Sequence, residues 1–180
     1  METSMTTLRL RRALSLKKNI LRTGLLVNIA QGFMMNVFIN ASIGLGLFVI
    51  NELQPIPLFG RLSISGDLVG MSATLTFLVC WFNIKTAREE IKHFPQKRID
   101  HPSILVRILG LLIPTNRLVR VLLLTILFTA LSFPIIEALH ARGKLMMSGF
   151  EFILFKSFYS GVLAAGVILV SSYSVYIKKS

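Results

Sequence analysis

Four stretches of this chain, residues 23–50, 66–84, 117–138 and 149–175, are each long and apolar enough to cross a lipid bilayer, and few folds accommodate that. A bilayer's hydrocarbon core is about 30 Å thick, which takes about 20 helical residues at 1.5 Å each. Inside it the backbone has no water to bond, so each stretch must close its own hydrogen bonds, as an α-helix does. The expected fold class is all-α: a polytopic membrane protein built as a four-helix transmembrane bundle. That 53% of the 180 residues are apolar agrees, because an ordinary soluble domain of this size carries less. The first stretch exceeds the core of a signal peptide and lacks a small-residue cleavage site, so it reads as a retained span.

Charge sets the orientation. The chain has 20 Lys and Arg against 8 Asp and Glu, an excess that in a soluble protein suggests nucleic acid. Here the basic residues gather in short segments beside the apolar runs. No nucleic-acid partner is expected; the expected partner is the bilayer itself, through its anionic cytoplasmic leaflet. Arg9, Arg11, Arg12, Lys17, Lys18 and Arg22 precede the first span. Lys85, Arg88, Lys92, Lys97, Arg98, Arg107, Arg117 and Arg120 lie between the second span and the first turn of the third, and Lys178 and Lys179 end the chain. Only Arg61, Arg142 and Lys144 occupy the other two loops. Sixteen against three, under the positive-inside rule, places both termini in the cytoplasm.

The chain then divides into a basic amphipathic segment (1–22), a first transmembrane hairpin (23–84), a basic cytoplasmic connection (85–116) and a second hairpin (117–180). In residues 7–21, Leu10, Leu14 and Leu21 recur at helical spacing among basic residues, which would lay a helix along an anionic leaflet. An Arg-rich segment with no acid after Glu2 also reads as an organellar transit peptide. Residues 103–114 are too few to span and too apolar for an aqueous loop, so they are expected at the interface.

The halves resemble each other. Gly60-Arg61-Leu62-Ser63-Ile64-Ser65-Gly66 enters the second span and Gly143-Lys144-Leu145-Met146-Met147-Ser148-Gly149 the fourth, with five of seven positions matched when Arg and Lys count as one. Glu52 and Glu137 close the preceding spans, and Asn19 and Asn116 each open a hairpin two residues before a leucine. The reading is two tandem hairpins in one orientation, the parallel-repeat arrangement of some transporters.

Polar residues within the spans are the candidate site. Asp67 and Glu151 stand at the outer mouths of the second and fourth spans, where a carboxylate caps a helix or, alternatively, lines a vestibule that attracts a cation. Lys156 lies about 10 Å into the fourth span at 1.5 Å per residue. It must snorkel to the interface or pair with an acid, for which Asp67, Glu137 and Glu52 are better placed than Glu151. Asn28, Gln31, Asn36 and Asn40 load the first span, and Asn36 and Asn40, with Gly32 and Gly44, form a stripe that must face protein or water. Pro134 is expected to kink the third span just before Glu137. Gly161, Ala164, Ala165 and Ser171 permit close packing in the fourth.

No nucleophile–base pair, phosphate-binding glycine loop or zinc spacing occurs, so neither an enzyme nor a cofactor is expected. Cys80 is the lone cysteine, and His93, His101 and His140 lack ligand spacing, so no metal is expected. The loop Pro55-Ile56-Pro57-Leu58-Phe59-Gly60, with Asn36 and Asn40 upstream and Ser65-Gly66-Asp67 downstream, resembles that of small bacterial four-span inner-membrane proteins of unassigned function, sometimes labelled permeases. The resemblance implies transport and carries no substrate. The expectation is a transporter, permease or channel for an undetermined ion or small solute, its path drawn from Asn36, Asn40, Asp67, Glu137 and Lys156. Four helices leave little room for a path, so a homo-oligomer is expected. The alternative is a non-transporting protein that organises lipids or a partner complex through its basic cytoplasmic face.

Overall fold

The computed structural model describes residues 24–46, 55–60, 63–93, 114 and 116–176. The basic segment 1–22, Glu52, the apolar stretch 103–113, His101, Lys178 and Lys179 lie outside the described residues. Of those described, 86% are helical, and four helices are long and apolar enough to span a membrane. The expected all-α four-helix transmembrane bundle is what forms. Its elements are α1 (Gly24–Gly46), β1 (Ile56–Pro57), α2 (Ile64–His93), α3 (Arg117–Ala130), α4 (Ser132–Ala141), β2 (Met146–Met147) and α5 (Gly149–Tyr176). The third span is α3 and α4 together.

Two boundaries differ from expectation for physical reasons. α2 continues to His93 instead of stopping near residue 84. Hydropathy marks where hydrocarbon ends, and Lys85, Arg88, Glu89, Glu90 and Lys92 are good helix formers in water, with Lys92 pairing to Glu89 at 2.9 Å. The third span breaks at Leu131, before Pro134 rather than at it. A proline has no N–H for the carbonyl four residues back, here that of Ala130, so the ladder fails one turn upstream. The Leu131 N–H turns to the Thr129 carbonyl, to which the Ser132 hydroxyl also donates, at 2.6 Å.

α2 and α5 run side by side in the same direction: their polar contacts join residues 85 to 89 apart along their whole length. α3 packs against both, Phe128 meeting α5 at Gly166. α1 lies antiparallel on α5, with Gly32 against Ile168, Phe33 edge-on to Phe158 and Gly44 against Ile153. Gly161 is another close approach, since a Cβ there would stand 2.5 Å from Val37 and 2.9 Å from Phe33. No side chain in the apolar window of α1 is buried, and Leu26, Met34, Met35, Phe38 and Ile43 are exposed, as suits a face turned to lipid. The core sits between α2, α3 and α5, around Leu68, Ile84, Val121, Leu124 and Val167.

The loops joining the spans meet at one end. β1 and β2 pair antiparallel, Ile56 opposite Met147 and Pro57 opposite Met146, and the Leu58 N–H bonds to the Leu145 carbonyl at 2.8 Å. Leu58 closes this end of the core at 1% exposure. Gly143 ends α4 with φ +69, its N–H on the His140 carbonyl and that of Lys144 on Leu139, a Schellman cap that requires the left-handed region glycine occupies freely. Gly60, its repeat counterpart, also has positive φ. Beyond the glycines the match slips: the ribbon pairs segments that are not equivalent in the repeat, and α2 starts at Ile64, level with Met147 in the alignment.

Candidate functional site

That slip decides the fate of the two acids. Ser148 and Glu151 form a complete capping box on α5, with the Glu151 N–H on the Ser148 hydroxyl at 3.3 Å and the Ser148 N–H on Glu151 Oε2 at 3.1 Å. On α2 the capping hydroxyl is Ser63, which accepts from the Gly66 N–H at 3.3 Å. Asp67 is thereby one position deeper, outside the cap, and its carboxylate is released for another partner.

The partner is Lys156. Its Nζ donates to Asp67 Oδ1 at 2.8 Å and lies 2.7 Å from Oδ2, where the contact is ionic without the direction of a hydrogen bond. Phe152 places its ring 5.7 Å from the same ammonium. The side chains are 25% exposed for Lys156 and 39% for Asp67, so the pair sits at a helix interface and is partly exposed. Of the acids the sequence offered to Lys156, the structure selects this one, and it rules out unpaired snorkelling.

The pair is the first rung of a polar seam between α2 and α5. One turn further in, the Ser72 and Tyr159 hydroxyls meet at 2.9 Å, buried. Towards the other end Asn83 Nδ2 reaches Ser171 Oγ at 2.6 Å, Ser172 Oγ at 2.9 Å and, more weakly, the Ile168 carbonyl at 3.3 Å. The Tyr176 hydroxyl donates to Glu90 Oε2 at 2.7 Å. Thr76, fully buried between the Ser72 and Asn83 rungs, has a hydroxyl with no partner among the described residues. Asn83, Tyr159 and Ser72 were not among the expected site residues. Their signal is spacing: Ser72, Thr76, Cys80 and Asn83 recur every three or four residues, a small and polar stripe on one helix face. Replacing Asn83 with alanine removes two donors that α5 uses, and intramembrane hydrogen bonds average ~0.6 kcal/mol, so a loss of about 1 kcal/mol in thermal unfolding is expected.

The other expected residues fall elsewhere. Asn36 and Asn40 turn their amides back on α1, donating to the carbonyls of Gly32 at 2.8 Å and Asn36 at 3.0 Å. The stripe meets α5 through backbone, the Ser160 hydroxyl lying 3.3 Å from the Asn36 carbonyl. Asn28 and Gln31 are exposed. Glu137 is exposed on α4 and makes no ion pair with a described residue. His140 packs edge-on against Phe59. Of the expected set, only Asp67 and Lys156 are joined across two helices, among the described residues.

At the end opposite the ribbon, Arg117 stacks its guanidinium 3.9 Å from the centre of the Trp81 ring and donates to the Trp81 carbonyl at 2.9 Å. Arg120, only 5% exposed, donates to the carbonyls of Pro114 at 2.9 Å and Ser174 at 3.2 Å. The second bond caps the C-terminal turn of α5. Asn116 caps α3, accepting from the N–H groups of Leu118 and Val119.

Four apolar spans cross-linked by polar side chains within their interfaces define an integral membrane protein of the helical, polytopic class. No protein-family model, curated protein or solved structure matches the chain.

Proposed function

We propose that this chain is a small transporter or channel of a bacterial inner membrane, with both termini in the cytoplasm, that passes an ion or small polar solute and works as a homo-oligomer. The Lys156–Asp67 pair carries the reading. Charges within a span are costly, and a buried ion pair adds little net stability over apolar packing, so its presence favours a role beyond holding helices together. The pair is partly exposed near the ribbon end, where a small ion or proton would meet Asp67, and the Ser72–Tyr159 rung continues polar groups inward. The bias of basic residues supports the orientation, and the likeness of the 55–60 loop to proteins labelled permeases supports the cell membrane assigned. An assembly of several copies supplies the room a path needs.

The test is flux from liposomes containing the purified protein. Protons, alkali cations and a panel of small polar solutes are expected to leave faster than from empty vesicles, for at least one of them. Neutralising Arg9, Arg11, Arg12, Lys17 and Lys18 together should leave that flux in place. Background flux for the whole panel, with loss of anionic-lipid binding in the neutralised chain, would replace transport with the lipid-organising alternative.

A further inference from the structure

We propose that Arg117 and Arg120, at the start of α3 and flanked by Trp81, bind the phosphate of an anionic phospholipid headgroup in the leaflet at that end of the bundle. Among the described residues Arg120 has no counterion. Every described hydrogen-bond partner of the buried Arg120 guanidinium is neutral: the Pro114 carbonyl, the Ser174 carbonyl and the Ser174 hydroxyl. Carbonyls satisfy donors but cancel no charge, and an ion so placed is costly without an opposite one. Arg117, one turn earlier on the same helix, likewise bonds a carbonyl and an aromatic face. No described acid lies within ion-pairing distance of either. Glu90, the acid of α2 nearest this end, accepts from Tyr176 instead.

The local field is more positive still. The N-terminus of α3 directs its dipole at the same corner. The forks are only partly used: Nη2 of Arg120 and Nη1 of Arg117 make no hydrogen bond to a described residue, and Nε of Arg117 is buried without a partner. Two guanidiniums with open N–H groups on adjacent turns suit phosphate oxygens, which a fork binds in pairs. The surroundings favour a lipid over a free anion. Leu118, Leu122 and Ile126 form an exposed ridge that starts at the corner and runs along the span, as an acyl chain would. A tryptophan beside basic residues is the side chain expected at headgroup depth.

The test is native mass spectrometry of the full chain released from detergent, titrated with phosphatidylglycerol, phosphatidylcholine of the same chains, or inorganic phosphate. One phosphatidylglycerol per chain is expected to stay bound at concentrations where phosphatidylcholine does not. Arg117→Gln should weaken that binding about tenfold, the effect of one charge-assisted contact. Arg142→Gln, at the ribbon end, should leave it unchanged. Arg120→Lys keeps the charge without the fork and should also bind more weakly; if it does not fold, Arg117→Gln decides alone. Equal retention of the two lipids, wild-type binding by Arg117→Gln, or competition by inorganic phosphate as effective as the lipid would each overturn the site.

Discussion

A chain carrying Asp67→Asn alone is expected to unfold at a lower temperature than one carrying Asp67→Asn with Lys156→Met, although the double variant has lost more of the native contact. The single change leaves an ammonium at a helix interface with no opposite charge, whereas the double change leaves neutral groups, with methionine free to pack on Phe152. Breaking a fully buried pair costs ~3–5 kcal/mol, and the exposure of this one, 25% and 39%, reduces that to about 1–2 kcal/mol through solvent screening. Lys156→Met alone should behave like Asp67→Asn. The double variant also separates stability from function: if the pair serves transport, the refolded double variant passes nothing despite its recovered melting temperature. A double variant no more stable than the singles would refute the uncompensated-charge account. One that transports normally would remove the pair from the path.

The second large effect concerns α1. Gly161→Leu is expected to detach that helix from α5, because even the first added carbon would stand 2.5 Å from Val37 Cγ2 and 2.9 Å from the Phe33 ring. Overpacking by a methylene or two costs ~1–3 kcal/mol, and a leucine exceeds that space several times over, so the α1–α5 contact gives way before α5 does. Thermal unfolding should broaden and shift down, and protease should cut near α1 at concentrations the parent resists. Gly161→Ala should lie between the two. Gly70→Ala is the control, since nothing stands within 4 Å of a Cβ there, and its stability should stay within ~0.5 kcal/mol of the parent. A Gly161→Leu chain as stable as Gly70→Ala would mean that α1 is not held where the structure places it.

Much of this architecture is legible in the residues. Backbone desolvation leaves an apolar run of 20 residues only one fold, so the spans could be read to within a turn, apart from the far end of α2. Lys156 announced its need for an acid by depth alone. Which acid it takes could not be read, because that depends on α2 starting two residues earlier than its repeat partner, a difference set by Ser63 acting as the cap in place of Ser65. Where the Asn36 and Asn40 amides bond could not be read either: an asparagine in a span can satisfy itself on its own helix, and composition does not distinguish that from a pore lining. Arg120 was counted for orientation only. Its burial against Ser174 follows from the end of α5 lying beside the start of α3, a tertiary fact with no local signature.

The constant offset of the α2–α5 contacts has a mechanical consequence. All four rungs, from Lys156–Asp67 to Tyr176–Glu90, are in register together, so sliding one helix past the other by a single turn, about 5.4 Å, would break them all at once. Shear along that interface is therefore the stiffest mode of the bundle. α1 meets α5 through apolar side chains seated on glycines, with one weak hydroxyl contact among the described residues and no polar ladder like that of α2 and α5. The contact that yields at lowest cost is therefore that of α1 with α5.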